Sequence, residues 1–539
     1  MAVPSTAKLV GRTLAELGAA HAFGVVGSGN FEVTNALRAG GVPFVATRHE
    51  CGAAVMADAY ARMSDRLAVV SVHQGPGLTN ALTGVAEAAK SRTPVLVLAG
   101  ETGAAAVRSN FRIDQAGAVT AIGAVAERVH SAATAVADTV RAYRTAVHER
   151  RTVVLNLPLD VQAAAAVEAP AGELSVPRPV RPDPAAVREL AEAINAARRP
   201  VFIAGRGARG AGPQLRALAE RAGALLATSA VANGLFAGEE WSVGISGGFA
   251  SPRAAELISS ADLVIGWGCG LNMWTTRHGR LLSGEAVVAQ VDLDPAALGA
   301  HRPVAIGVLG DVALTAADVL DSVVAGTRFR DAPPGDVRWR SVPFEDTSTG
   351  DRIDPRALSV ALDDLLPAER LVCVDSGNFM GYPSAYLSVP DQYGYCLTQG
   401  FQSIGLGLAT AIGAALARPD RLAVAALGDG GALMSVAELD TVVRLGIPLV
   451  TVVYNDSAYG AEVHHFGADV DLDTVVFPET DIAAIARGFG CAAATVRTRA
   501  DLAALRDWLA GPRSQPLVLD AKITSDGGSW WLAEAFRGH

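Results

Sequence analysis

Positive charge is in short supply in this chain of 539 residues: 45 lysines and arginines stand against 55 aspartates and glutamates, a formal net charge of -10. No Lys/Arg-rich run offsets that balance, so the sequence-independent pull toward phosphate backbones is missing and no nucleic-acid partner is expected. Long apolar runs are missing too. The uncharged stretch AGALLATSAVANGLFAG is rich in small residues, broken by glycine and too short to span a bilayer comfortably. The opening MAVPSTAKLVGRTLAELGAA has no basic region ahead of an apolar one; it reads as a helix and makes a cytoplasmic protein the expectation. Cysteine is scarce and scattered: Cys51, Cys269, Cys373, Cys396 and Cys491 are odd in number and never in CxxC spacing. Neither a zinc site nor a disulfide framework follows, and burial as small hydrophobes is the ordinary role.

What the chain has in quantity is apolar residues, 50% of the total, on a length too great for one core. Strand-like runs alternate with Ala-rich helical patterns: PFVA, LAVVSV and PVLVLAG, then PVFIAG, DLVIGWG and AVVAQVDL, then RLVCVDSG, RLAVAALG and PLVTVVYND. Such alternation means parallel sheets covered by helices on both faces, an α/β fold of doubly wound domains. A Pro-rich break near 168–187 and a polar one near 328–351 read as linkers. The expected domains are therefore 1–167, 188–328 and 351–539. The first and third also resemble each other, because DRLAVVSVHQGPGLTNALTGVAEAAKSRTPVLVLAG from Asp65 and DRLAVAALGDGGALMSVAELDTVVRLGIPLVTVVYN from Asp420 run strand, Gly-rich turn, helix, proline and strand in one order. A duplicated domain is implied.

The turn LGDGG runs from a strand into a helix, where unpaired backbone N–H groups and missing side chains suit an anion such as diphosphate. Asp429 alone would repel that guest. An acid there makes sense when a hard cation, magnesium for preference, sits between carboxylate and phosphate oxygens. The next strand returns YNDSAYG to the same sheet edge, offering Asn455 or Asp456 and a backbone carbonyl to complete the coordination.

At these residues the chain resembles thiamine diphosphate-dependent enzymes of the acetolactate synthase, pyruvate oxidase and benzoylformate decarboxylase type, whose motif is GDG followed one strand later by NN. TRHECGAAVMADAYAR, GPGLTNALTGVAEAAKSRTPVLVLAGE and TQGFQSIGLGLATAIGAALA extend the resemblance over nearly the whole chain. It implies a pyrimidine-binding first domain, a Rossmann-like central domain and a diphosphate-binding third domain. Glu50 would hydrogen-bond N1′ of the aminopyrimidine, partly desolvated on its apolar helix and so able to share a proton. The Gln402 carbonyl would accept from the 4′-amino group, and Ile404 would wedge between the cofactor rings. Gly428, Gly430, Gly431 and Ala432, with Asn378 and Tyr459, would surround the diphosphate. Asp429, Asp456 and the Ala458 carbonyl would hold magnesium, with Asp456 standing where relatives carry asparagine. Because such cofactors lie between the first domain of one subunit and the third of another, a homodimer or homotetramer is implied.

Proton donors near the reacting carbonyl must come from the protein. His73 stands where benzoylformate decarboxylase has a histidine, Ser28 matches a serine of that enzyme, and Gln115 resembles an active-site glutamine of benzaldehyde lyase. Arg112 reads equally as a carboxylate binder or a solvated residue. His464 and His465 follow the metal turn, and an adjacent pair cannot face one way on a helix. Trp530 and Trp531, in the tail GGSWWLAEAF, read either as a closing flap or as packing residues. In the central block GRGARG satisfies the dinucleotide pattern, but no acid follows at the end of the next strand and GWGCGLNMWTT lacks an arginine segment, so FAD is not expected. The resulting expectation is a thiamine diphosphate and magnesium enzyme, a 2-oxo acid decarboxylase or carboligase acting on small molecules. A nucleotide-dependent oxidoreductase built on the central domain, or a catalytically silent relative, is the alternative.

Overall fold

A computed structural model of the chain describes residues 4–172, 175–467, 469–525 and 530–535. Three six-stranded sheets form its framework. The first holds β1 (His21–Gly24), β2 (Phe44–Ala46), β3 (Ala68–Val72), β4 (Val95–Glu101), β5 (Val125–Arg128) and β6 (Thr152–Pro158) in the order β2-β1-β3-β4-β6-β5. The second holds β7 (Pro200–Ala204), β8 (Leu225–Thr228), β9 (Ser242–Ile245), β10 (Leu263–Trp267), β11 (Val287–Asp292) and β12 (Ile306–Leu309) in the order β12-β11-β10-β7-β8-β9. The third holds β13 (Arg370–Val374), β14 (Tyr395–Leu397), β15 (Leu422–Gly428), β16 (Val450–Asn455), β17 (Ala492–Val496) and β18 (Leu517–Lys522) in the order β14-β13-β15-β16-β18-β17.

Every strand pairing is parallel. That explains why central strands such as β3 and β13 are buried at every position and read as unbroken apolar runs. The first and third sheets share one relative strand order, as their repeated sequence leads one to expect. The second has the order of dinucleotide-binding domains. Among the described residues no helix is long and apolar enough to cross a membrane. The five cysteines are free, with four buried and Cys51 half-buried.

The first and third domains meet across two helices made largely of small residues. Helix Glu50–Ser64 is buried from Gly52 to Met63, and helix Gly407–Ala417, GLATAIGAALA, is buried from Gly407 to Ala415. They approach so closely that a Cβ on Gly413 would lie 2.1 Å from the Met56 carbonyl oxygen. Met56 and Tyr60 share one hydrophobic core with Ala409 and Ile412. At the end of this contact Arg62 donates to Asp58 (Nε to Oδ1, 3.0 Å), to Glu87 (Nη2 to Oε1, 2.9 Å) and to the Leu397 carbonyl (3.0 Å). All three charged groups are buried, so the network is stable only while each charge keeps its counter-charge.

The glycine-rich turn after β7 is spent on the same junction. It folds as the short 3-10 helix Arg206–Ala211. Arg206 donates to the Ser91 carbonyl, and Arg209 donates to the carbonyls of Arg62 and Val231 at 2.8 and 3.1 Å. Its basic side chains therefore tie the central domain to the first.

Two outcomes follow. Gly413→Val should drive the two helices apart and lower stability by about 3 kcal/mol, whereas Gly488→Ala, where an added Cβ meets nothing within 4 Å, should be near neutral; urea midpoints of the two variants check this. His21 is stacked at 4.8 Å from Phe23 and 5.0 Å from Tyr60, its Nε2 has no partner, and burial lowers its pKa to about 4. The unfolded chain takes a proton near pH 6.5 that the folded chain refuses, so stability should fall as pH drops from about 6.5 to about 4, by at most roughly 3 kcal/mol. His21→Phe should flatten that slope in urea midpoints measured across the same pH range.

Candidate active site

The third domain supplies a cradle at the carboxyl end of its sheet. Strand β15 ends at Gly428 and turns at once into helix Asp429–Met434. Gly428 pairs with Tyr454 of β16, which places Asp456, two residues on, beside Asp429. The two carboxyls are in hydrogen-bond contact, and Asp429 is only 7% exposed. Burial pushes the Asp429 carboxyl up. It also pushes Asp456 up to about 8, with the Asp429 charge adding to the effect. Two carboxyls held together out of water require a shared proton or a cation between them.

The surroundings suit a cation with further ligands from outside the chain. Among the described residues no group of three or more His, Cys, Asp or Glu converges to hold a metal. Two carboxylates with a backbone carbonyl leave coordination positions for phosphate oxygens and water, the arrangement magnesium favours. The turn beside the pair is closely packed and needs glycine, because a Cβ on Gly430 would lie 2.5 Å from the Tyr459 ring and one on Gly431 would lie 2.6 Å from Asp375 Oδ2. The resident residues thus fit a magnesium-bound diphosphate.

The bend that brings Asp456 into place is built by its neighbours. Ser457 adopts a left-handed φ of 61°, and its N–H donates to Asn455 Oδ1 at 3.1 Å. Asn455 Nδ2 donates to Asp520 Oδ1 at 2.8 Å. Of the two acids and amides open in the sequence, Asn455 is therefore committed to the end of the sheet, and Asp456 turns to Asp429. Ala458 and Tyr459 are half-buried along the following bend, where the Tyr459 N–H donates to the Val475 carbonyl at 2.8 Å.

Asp375, at the end of β13, is a feature that sequence reasoning passed over. Fully buried, it accepts from the N–H groups of Ser376 (2.8 Å), Gly405 (2.9 Å) and Leu406 (3.1 Å). Burial pushes its pKa up to about 6, against those N–H groups, which lower it. The acid closing RLVCVDSG repeats the strand-then-acid pattern of LGDGG and is the signal that would have found it. Asn378 is buried beside it, Gln402 is exposed with a left-handed φ of 65°, and Ile404 is half-buried. A left-handed φ is adopted at least cost by glycine, so the backbone at Gln402 is strained.

On the first domain, Ser28 and His73 meet. His73 Nδ1 lies 3.1 Å from the Gln74 carbonyl, which can only accept, so the neutral ring carries its proton there. That leaves Nε2 free to take the Ser28 hydroxyl at 3.3 Å. Phe111 packs 5.3 Å from the imidazole. Glu50 stands at the first turn of its helix, half-exposed, and accepts from Asn80 Nδ2 at 3.1 Å. The helix is buried as expected from Gly52 to Met63, while Glu50 itself keeps part of its surface open.

The other candidates are divided between buried and exposed positions. Gln115 is 2% exposed, and its amide is used up: Oε1 accepts from the Gly75 N–H at 2.9 Å, and Nε2 donates to the Gly100 carbonyl at 3.1 Å and to Asn156 Oδ1 at 2.7 Å. It props the loop after His73, and in this chain its amide is spent on the fold, which departs from the open, substrate-facing position that the resemblance implied. Arg112 is exposed. His464 is half-buried and His465 exposed, its ring 4.7 Å from Phe466, on the short helix Gly460–Phe466. Trp530 stacks on Trp339 at 5.1 Å, and Trp531 is buried with its Nε1 donating to the Asn378 carbonyl at 2.9 Å. Both are packing residues. Gly527, Gly528, Ser529 and Phe536 of the same tail lie outside the described residues.

Comparison with known proteins identifies the class. The chain matches the N-terminal TPP binding domain of thiamine pyrophosphate enzymes over residues 4–138, the central domain over 187–320 and the C-terminal TPP binding domain over 375–521. It is 33% identical over 527 residues to the "Probable 2-ketoarginine decarboxylase AruI" of Pseudomonas aeruginosa, covering 93% of this chain and 90% of that one. It is 30% identical over 488 residues to a sulfoacetaldehyde acetyltransferase of Alcaligenes xylosoxydans xylosoxydans, covering 83% and 80%. The fold superposes with a TM-score of 0.82 on the X-ray structure of a candidate thiamin diphosphate-dependent enzyme from Mycobacterium smegmatis, at 23% identity over 97% of this chain and 100% of the other. With all three family domains matched in order, this chain belongs to the thiamine pyrophosphate enzymes.

Proposed function

We propose that this protein uses thiamine diphosphate and magnesium to break or form a carbon–carbon bond next to a carbonyl, acting as a 2-oxo acid decarboxylase or carboligase. One observation carries the reading: the buried contact of Asp429 with Asp456 at the glycine turn from strand into helix, a pair in want of a cation where backbone N–H groups can meet an anion. The relatives named for decarboxylation and for acetyl transfer support both halves of the statement.

Thiamine diphosphate, when bound, supplies the carbon nucleophile and the electron sink that such reactions need. The chain's own residues do the rest. Asp429, Asp456 and the Ala458 carbonyl hold magnesium, and the Gly430–Ala432 backbone N–H groups face the diphosphate. Asn378 and Tyr459 flank it. Gln402 offers its carbonyl, and Ile404 an apolar ridge, to the pyrimidine end. Glu50 moves a proton at N1′. His73, with Nε2 turned to Ser28, moves protons at the substrate carbonyl. The half-exposed Glu50, with Phe401 at 42% and Met434 at 59% exposure, leaves apolar and catalytic surface open in a single chain. A second copy covering that surface would bring its own third domain to Glu50 and complete the desolvation.

The reaction is tested by adding thiamine diphosphate and magnesium to the purified protein with a series of 2-oxo acids and aldehydes, following carbon dioxide release and ketol formation separately. No turnover of any donor would sink the proposal. Glu50→Gln should reduce turnover by about 10²- to 10⁴-fold while cofactor binding, followed by calorimetry, persists. A variant as active as wild type removes Glu50 from the mechanism.

A further inference from the structure

Glu87 lies near the end of helix Pro76–Lys90 in the first domain, with 0% exposure, yet two of its donors belong to the third domain. Its Oε1 accepts from Arg62 Nη2 at 2.9 Å, from Ser91 Oγ at 3.3 Å and from the Gly400 N–H at 2.9 Å. Its Oε2 accepts from the Phe401 N–H at 2.6 Å. Burial by itself would push this carboxyl up, but Arg62 and the two loop N–H groups outweigh it and hold the group below its ordinary range. It is a carboxylate with four donors, three on Oε1 and one on Oε2.

Gly400 and Phe401 immediately precede Gln402. Arg62, the same arginine that binds Glu87, also donates to the Leu397 carbonyl at the end of β14, so the first domain grips the strand end and the loop after it. Lys90 adds its ammonium 5.6 Å from the Phe401 ring. The approach is possible because residue 400 is glycine: a Cβ there would lie 2.4 Å from Ser91 Oγ and 3.1 Å from Glu87 Oε1. Four residues further, the N–H groups of Gly405 and Leu406 are held by Asp375 of the third domain itself. Gln402, Ser403 and Ile404 are thus strung between two buried carboxylates, one from each domain.

The junction is reciprocal. Glu438 of the third domain, 2% exposed, accepts from the N–H groups of Arg48 and His49 at 3.1 and 3.0 Å, immediately before Glu50. Each domain therefore fixes the backbone that leads into the other's pyrimidine-facing residue.

We propose that Glu87 is a positioning residue of the site: its buried carboxylate, locked by Arg62, sets where the Gln402 carbonyl and Ile404 stand, so that the first domain shapes the pyrimidine-holding edge of the third. This rests on the reading that Gln402 and Ile404 meet the pyrimidine. Glutamine at position 87 has one acceptor oxygen where the carboxylate has two, turns an N–H toward a loop N–H, and deprives Arg62 of a counter-charge. The pyrimidine edge should loosen while the diphosphate cradle, whose neighbouring loop end stays bound to Asp375 of the same domain, keeps its shape.

The experiment is calorimetric titration, with magnesium present, of wild type and Glu87→Gln by thiamine diphosphate and, separately, by inorganic diphosphate. Thiamine diphosphate affinity should fall about tenfold in the variant, with inorganic diphosphate affinity unchanged within about twofold. Equal loss of both ligands marks a merely structural role and overturns the proposal, as does unchanged thiamine diphosphate affinity. If Glu87→Gln fails to fold, Gly400→Ala, which forces the loop away from Ser91 and Glu87, should produce the same split, and its failure to do so is equally fatal. Wild type that binds no thiamine diphosphate sinks the functional reading itself, whereas a variant indistinguishable from a wild type that binds sinks only the role of Glu87.

Discussion

Where Gly413 meets the Met56 carbonyl, two helices from different domains come together backbone to backbone, and the parts of the site are positioned through that approach. Neither helix has a polar face to show to water: one is buried from Gly52 to Met63 and the other from Gly407 to Ala415. Each is therefore stable only against the other and against the sheets beneath. Small side chains make the contact close, and closeness lets Arg62, Glu87 and Glu438 reach across from one domain into the loops of the other. An extra methyl group at the crossing would be felt along the whole seam, because packed interiors do not compress.

The buried charges of this protein divide into two kinds. At the domain junction opposite charges meet: Arg62 lies between Asp58 and Glu87, and Glu87 also takes loop N–H groups. Such a network is satisfied and rigid, and serves to hold loops in place. At the end of the third sheet the balance is reversed. Asp429 and Asp456 confront each other with raised proton affinity that the Lys522 charge offsets only in part, and Asp375 accepts from backbone N–H donors. A like-charged pair is costly in an interior unless something positive arrives, which is why uncompensated groups mark ligand positions better than salt bridges do.

Much of the framework was legible. The central strands β3, β4, β7, β10, β11, β13, β15 and β16 are all runs that stand out in the sequence as continuous apolar stretches, because a parallel strand covered by helices on both faces has no polar side. Edge strands such as β5, β9, β12, β14 and β17 were harder to see: β14 has three residues, and the pattern of β17, AAATV, does not distinguish it from a helix. Within the site, LGDGG and YNDSAYG announced the carboxylate pair. Between Asn455 and Asp456 the residues alone left the choice open and only the resemblance pointed to Asp456; what commits Asn455 elsewhere is Asp520, a residue of β18 that stands 65 positions from Asn455 in sequence and 2.8 Å away in space.

The same division separates Gln115 and Glu87 from the motifs. Gln115 looked like a substrate-facing amide by resemblance, and its partners on β4 and β6 turn it into a prop. Glu87 looked like any acid on an amphipathic helix, and the third domain makes it an anchor. The sequence by itself determined the doubly wound α/β class, the duplication of the first and third domains and the family, since these rest on periodicity and short contiguous motifs that any one segment displays. Which polar atoms are left free to act was decided only by the tertiary structure, because a hydrogen-bonding group is spent or available according to what distant strands and loops bring within 3 Å of it.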